Sequence, residues 1–157
     1  MNAPVDPYLL LPLHGIGLIE ASAGTGKTFT LATLFTRLVV EQRLRIGQIL
    51  AVTFTDAATQ ELRKRIRERL ALAAQLLARA PAADDAPEVQ LTRYLLQREL
   101  AQGRETPAAL AQRLQTAADE IDLASIFTIH GFCTRVLREH ALESGHTFDP
   151  PTLLPSE

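Results

Sequence analysis

The sequence predicts an α/β fold, a parallel sheet with flanking helices, and three observations predict it. Short apolar segments alternate with longer amphipathic ones along the 157 residues. A glycine-rich turn separates the first such pair. The apolar content is weighted toward good helix formers, with 26 Leu and 23 Ala against 8 Ile and 6 Val, so helices are expected to outnumber strands. Strands that alternate with helices imply parallel pairing through right-handed crossovers.

Each element has its own warrant. Gly17-Leu18-Ile19-Glu20 reads as a first strand, Ala23-Gly24-Thr25-Gly26 as the turn, and Leu31, Leu34, Phe35, Leu38 and Val39 as the apolar face of a helix. Residues 49–54, apolar and β-branched, predict a second strand buried on both faces. Thr55 or Asp56 is positioned to cap a long helix whose stripe, Ala58, Leu62, Ile66, Leu70 and Leu77, carries it to about residue 80. A proline-bounded acidic linker at 81–87 leads to a helical pair around 91–100 and 110–121, the second opened by Thr106 as cap and Pro107 at the first helical position. Residues 125–129 predict a third strand, and Gly131 opens a last helix through Val136, Leu137 and Ala141 that stops near Ser144-Gly145. The division expected is 1–80 and 123–145 for the α/β domain, 81–122 for a helical insertion, and 146–157 for an irregular tail.

Composition narrows the function classes. No apolar run approaches the roughly 18 residues that span a bilayer, and the first residues lack the positive stretch of a secretory signal, so no membrane partner and a cytoplasmic location are expected. One cysteine, Cys133, excludes an intrachain disulfide and a cysteine metal cluster; it sits on an apolar helix stripe and is expected to be buried. The net charge of −2 hides an uneven distribution. Residues 27–79 hold ten bases and four acids, a basic middle third.

Ala21-Ser22-Ala23-Gly24-Thr25-Gly26-Lys27-Thr28 carries the sharpest chemistry. A phosphate chain needs converging backbone N–H groups with no Cβ in the way, which Gly24 and Gly26 provide, and the positive end of the following helix favours the anion. Lys27 then reaches the β- and γ-phosphates, and the Thr28 hydroxyl ligates Mg²⁺. The bland alternative is a glycine turn that merely links strand to helix. An apolar strand before it and an amphipathic helix after it favour the phosphate loop. Hydrolysis also needs a carboxylate at the end of a neighbouring strand. None is found: Asp84-Asp85 lies in the linker and Asp119-Glu120 follows a helical pattern, so both read as solvated acids.

Thr53-Phe54-Thr55-Asp56 joins a strand end to a helix start, where loops of an α/β sheet carry ligands. Hydroxyls and helix N-terminal amides suit phosphate oxygens, and Phe54 suits a stacked base. Alternatively Phe54 is core and Arg63, Lys64, Arg65, Arg67 and Arg69 form a solvated helix face. His130, taken alone, reads more readily as a satisfied core or turn histidine than as a DNA contact.

Residues 20–30, 52–66 and 127–133 together resemble motifs I, Ia and Ib of superfamily 1A DNA helicases, the UvrD/Rep-like group, with the nearest likeness to the RecB-type subunits of exodeoxyribonuclease V. Leu11-Pro12-Leu13 and residues 141–145 add to that likeness. The resemblance implies a P-loop, RecA-like ATP-binding domain, here incomplete. It implies that Ala21, Ser22, Ala23, Gly24, Thr25, Gly26, Lys27 and Thr28 bind ATP, with Lys27 catalytic and Thr28 on Mg²⁺. Thr53, Phe54, Thr55, Thr128 and His130 would face single-stranded DNA, and Arg65, at a recurring basic position of motif Ia, would join them on DNA or else pack in a salt bridge. It further implies 3′ to 5′ unwinding and exonuclease action in break repair and recombination, on double-stranded DNA opened to single strands, with the gamma and alpha subunits as partners. His14 departs from the glutamine this family tends to place there. The acidic Mg²⁺ motif, the arginine finger and the nuclease motifs are not among these residues, so the chain is expected to be inactive alone. The rival readings are a small self-contained P-loop kinase or NTPase and a nucleotide-binding stub without turnover.

Overall fold

The computed structural model describes residues 7–20 and 26–140. In chain order these form α1 (Pro7–Leu10), α2 (Lys27–Glu41), β1 (Leu50–Thr53), α3 (Asp56–Leu76), α4 (Pro87–Leu100), α5 (Pro107–Asp119), β2 (Ser125–Thr128) and α6 (Ile129–Glu139). The expected helix-rich α/β arrangement is present, and β1 and β2 pair in parallel with Leu50 opposite Ser125 and Thr53 opposite Thr128. The expected strand at residues 17–20 is not formed, and Leu18 and its neighbours are exposed. Its apolar pattern is right, but a four-residue strand is held only by a neighbour's hydrogen bonds, and β1 and β2 pair with each other. The last residues of the expected final helix, from 141 on, lie outside the described residues, as does the tail.

Helix α3 is the centre of the core. Leu62, Ile66, Leu70 and Ala73 are buried against Phe35, Val39 and Val40 of α2 and Leu110 and Leu114 of α5. The expected stripe departs at both ends, with Ala58 exposed and Leu77 half-buried, while Thr59, Ala73, Ala74 and Leu76 are buried. Rows spaced by four drift around a helix of 3.6 residues per turn, so the buried face must step back to a three-residue spacing. On α2 the buried face is likewise turned, to Ala32, Phe35, Thr36, Val39 and Val40, leaving Leu31 exposed. Burying threonines there costs little because each hydroxyl donates to a carbonyl one turn back, Thr33 to Phe29 and Thr36 to Ala32, at 2.8 and 2.9 Å.

The pair α4 and α5 joins that same core through Leu95, Leu96, Leu110, Leu114, Ala117 and Ala118. Thr106 caps α5 as its sequence predicts, its Oγ1 accepting from the Ala109 N–H at 3.2 Å. Two expectations need correction here. Asp85 is not solvated: its carboxylate is buried and accepts from Arg79 and Arg93 at 3.0 Å each and from the Ala82 N–H at 3.1 Å. Arg93 also donates to the carbonyls of Leu76, Arg79 and Ala80, which closes the end of α3 and folds the linker onto it. The second correction concerns β1, which is not buried on both faces. The Ala51 and Ile126 face lies under α3, whereas α6 covers only the Phe127 side of the other face, leaving Leu50 and Val52 half-exposed. Cys133 on α6 is exposed for the same reason, since α6 has no buried residue among its eleven.

Candidate nucleotide cleft and sheet edge

Helix α2 starts at Lys27, directly after Gly26, whose φ of +85° lies in the left-handed region that favours glycine. A helix start leaves N–H groups without partners inside the helix. Helices α3, α5 and α6 supply a threonine oxygen to theirs, but Gly26 has no side chain to do so. Among the described residues no side chain caps the start of α2, and its first amides, the Lys27 ammonium and the Thr28 hydroxyl come together there. These groups face a cleft of about 730 Å³ between the beginning of α2 and the middle of α3. Ala21, Ser22, Ala23, Gly24 and Thr25 lie outside the described residues.

The α3 wall of that cleft is a charged stripe that sets Arg65 and Arg69, expected on a solvated basic face, beside acidic residues that carried no expectation. Glu61, Arg65, Glu68, Arg69 and Leu72 line it, together with Glu88 from α4. The spacing i, i+4, i+7, i+8, i+11 is the signal that would have found it, since it puts all five on one helix face. Arg65 donates to Glu61 at 2.8 Å and lies 3.7 Å from Glu68; the Glu61 hydrogen bond, then the charges of Glu61 and Glu68, raise its pKa further. Arg69 is buried, donates to the Thr33 hydroxyl at 2.7 Å, and holds its guanidinium 4.3 Å from the centre of the Phe29 ring. Phe29 is thus fixed at the cleft's α2 wall.

A second cluster forms where β1 and β2 end. Thr53 and Thr128 are register partners, so the loops that follow them leave the sheet side by side. Thr55 caps α3 by accepting from the Ala58 N–H at 3.1 Å, and Thr128 caps α6 by accepting from the Gly131 N–H at 3.0 Å. A Cβ on residue 131 would stand 3.2 Å from the Thr128 hydroxyl, which explains glycine there. Thr53 bonds Thr59 at 2.6 Å, tying the strand end to α3. Phe54 is 88% exposed, so it is not core. His130 is exposed in the first turn of α6.

The structure therefore brings Thr53, Phe54, Thr55, Thr128 and His130 to one edge. Arg65 stands elsewhere, about 15 Å along α3 from Thr55 at 1.5 Å per residue, on the cleft with Lys27 and Thr28. The basic stripe of α3 is a solvated face only in part: Lys64, Arg65 and Arg67 are exposed, Arg67 donating to the exposed Asp122 at 2.8 Å, whereas Arg63 is half-buried and donates to the Ile126 carbonyl at 2.7 Å and Arg69 is buried. Asp119 accepts from Gln115 and is exposed with Glu120, as expected of solvated acids. Among the described residues no group of three or more His, Cys, Asp or Glu side chains is arranged to hold a metal ion, and no helix is long and apolar enough to cross a membrane.

Residues 8–154 match the family model of the UvrD/REP helicase N-terminal domain. The chain is 40% identical over 153 residues to RecBCD enzyme subunit RecB of Haemophilus influenzae, with 93% of this chain and 12% of the relative covered. It is 42% identical over 153 residues to the Escherichia coli subunit of the same name, covering 92% and 12%. Against that of Mycolicibacterium smegmatis it is 42% identical over 123 residues, covering 77% and 10%. The chain thus spans about an eighth or less of the length of these relatives.

Proposed function

The chain belongs to the UvrD/REP helicase N-terminal domain family, and on that premise we propose that it is the ATP-binding portion of a RecB-like helicase subunit acting in DNA repair and recombination. The reading takes the fold as the first part of a P-loop, RecA-like domain, with residues 81–122 inserted between its two stretches. It places the protein in the cytoplasm, working 3′ to 5′ on DNA with an exonuclease elsewhere in the subunit and with gamma- and alpha-type partner subunits.

The observation that carries it is the uncapped start of α2 at Gly26, Lys27 and Thr28, open to the cleft. That donor set fits a nucleotide triphosphate: helix-start amides and a lysine ammonium suit phosphate oxygens, and a hydroxyl suits a hard cation. Lys27 would hold the β- and γ-phosphates and Thr28 the Mg²⁺ ion, with Ala21 to Thr25 completing the loop. Mg²⁺-ATP supplies the driving force for movement along DNA. At the other cluster, Phe54 would stack on a base while Thr53, Thr55, Thr128 and His130 meet the backbone of a single strand. Arg65, held by Glu61 and Glu68 on the cleft, sits better with the nucleotide than with DNA.

The test is Lys27→Ala in the full-length protein, read as binding of a fluorescent ATP analogue with Mg²⁺. Loss of binding supports the reading, and unchanged binding refutes it. Binding without any turnover in the wild-type protein would favour a nucleotide-binding stub.

A further inference from the structure

The loops after Thr53 and Thr128 set the starts of α3 and α6 side by side. In each helix the threonine cap takes one N–H, that of Ala58 in α3 and of Gly131 in α6. The N–H groups of Asp56 and Ala57, and of Ile129 and His130, come before the first intrahelical bond and have no other partner among the described residues. All four residues are exposed. Two such helix starts carry about half a positive charge each, which taken alone would hold a phosphate firmly.

Asp56 stands against that attraction. It is the first residue of α3, and its carboxylate has neither a hydrogen bond nor an ion pair among the described residues. Glu61, Glu68 and Asp85, by contrast, each meet an arginine. Residues 53–59 and 125–134 hold no Lys or Arg, and Asp56 is their only carboxylate. The next cations along the two helices are drawn off, Arg63 by the Ile126 carbonyl and Arg135 by Glu139. The full negative charge of Asp56 therefore offsets the two partial positive ones with nothing to neutralise it. Stacking on the exposed Phe54 ring escapes that balance, because it depends on the face of a base and not on its charge.

On the reading of this edge as a single-strand site, we propose that Asp56 is a specificity-determining residue. Its unpaired carboxylate weakens the hold of the α3 and α6 starts on phosphate and leaves the stacked base as the dominant contact. A strand is then gripped there by its bases and released without first breaking a strong ionic bond.

Fluorescence anisotropy of oligothymidine, and of an abasic strand of equal length, is titrated with the full-length protein at several salt concentrations. Wild type is compared with Asp56→Asn, Asp56→Lys, Asp56→Glu and Phe54→Ala. Asp56→Asn is expected to bind both strands about threefold tighter at low salt, the weight of one unit charge about 6 Å away in water, and the gain fades as salt rises. Asp56→Lys steepens the fall of log affinity with log salt by about 0.7, the worth of one more phosphate on a single strand. Asp56→Glu keeps the charge and behaves as wild type. Phe54→Ala weakens oligothymidine binding and leaves the abasic strand unchanged. Wild-type affinity and salt slope in both Asp56→Asn and Asp56→Lys overturn the proposal, as does a gain confined to oligothymidine. Phe54→Ala separates the two failures: unaltered oligothymidine binding in that variant removes the single-strand reading itself, whereas weakened binding beside unaltered Asp56 variants removes only the role of Asp56.

Discussion

Phe54→Ala separates folding from recognition, because the ring is 88% exposed at the end of β1. An exposed side chain contributes almost nothing to the folded state, so the stability change should stay within about 0.5 kcal/mol. If the ring stacks on a base, its loss costs about 1–3 kcal/mol of single-strand affinity, or about 5- to 150-fold in Kd at 1.4 kcal/mol per decade. The helix cap that follows is untouched, since it belongs to the Thr55 hydroxyl. Fluorescence anisotropy of a labelled oligothymidine, titrated with the full-length protein at fixed salt, reads the affinity; thermal melting of the same samples reads stability. A variant with wild-type melting and wild-type affinity refutes the assignment of this edge. A variant that melts much earlier refutes the claim that the ring is free of the fold.

Two further outcomes follow from the geometry. Gly26→Ala meets no steric obstacle, its Cβ lying 3.8 Å from the Phe29 Cβ, but a φ of +85° costs an alanine roughly 1–2 kcal/mol; a shift in the urea midpoint without a change in slope would show it. Acid should weaken the fold through Asp85 and Glu105. The Ala82 N–H, against the opposing effect of burial and together with Arg93 and Arg79, holds the Asp85 pKa below its ordinary value. Burial alone would raise Glu105, but the hydrogen bond and charge of Arg113, helped by Arg43 and Arg104, outweigh it and lower the pKa. Both carboxyls bind protons more readily unfolded, so their contribution is complete above about pH 5 and is lost as pH falls below about 4. Melting temperature measured from pH 7 to pH 3 should stay level and then drop, and Asp85→Asn should shrink the drop; a level curve throughout counts against the ion cluster.

Local chemistry was legible where the cause is local. Thr55 and Thr106 were readable as caps, and Pro107 as the first helical residue, because a cap needs only residues a turn apart. The two strands that form were readable for the same reason. The segment 17–20 was misread because pairing depends on a neighbour, which no periodicity encodes. The charged wall of the cleft was legible only in part: Arg65 stood out by its place in a motif, but Glu61, Glu68 and Arg69 look like ordinary helix-surface residues until α2 is packed against them. Asp85 looked solvated because its partner Arg93 lies across a turn, on another helix. The gathering of Thr53, Phe54 and Thr128 was half legible: two loops at strand ends were visible, but their register was not.

Arg37, Arg63, Arg69, Arg93 and Arg98 act as fasteners inside the fold, closing the end of α3, seating the Ile126 carbonyl and pinning α1. A reader of net charge alone would expect the basic middle third to draw in a polyanion from a distance. Arg37 and Arg69 are buried and Arg63 is engaged by the Ile126 carbonyl, so the cations left at the surface of α3 are Lys64, Arg65 and Arg67, each beside a carboxylate of Glu61, Glu68 or Asp122. If that face meets a polyanion, the cations it offers are carboxylate-paired, so the attraction would be short in range and readily screened by salt.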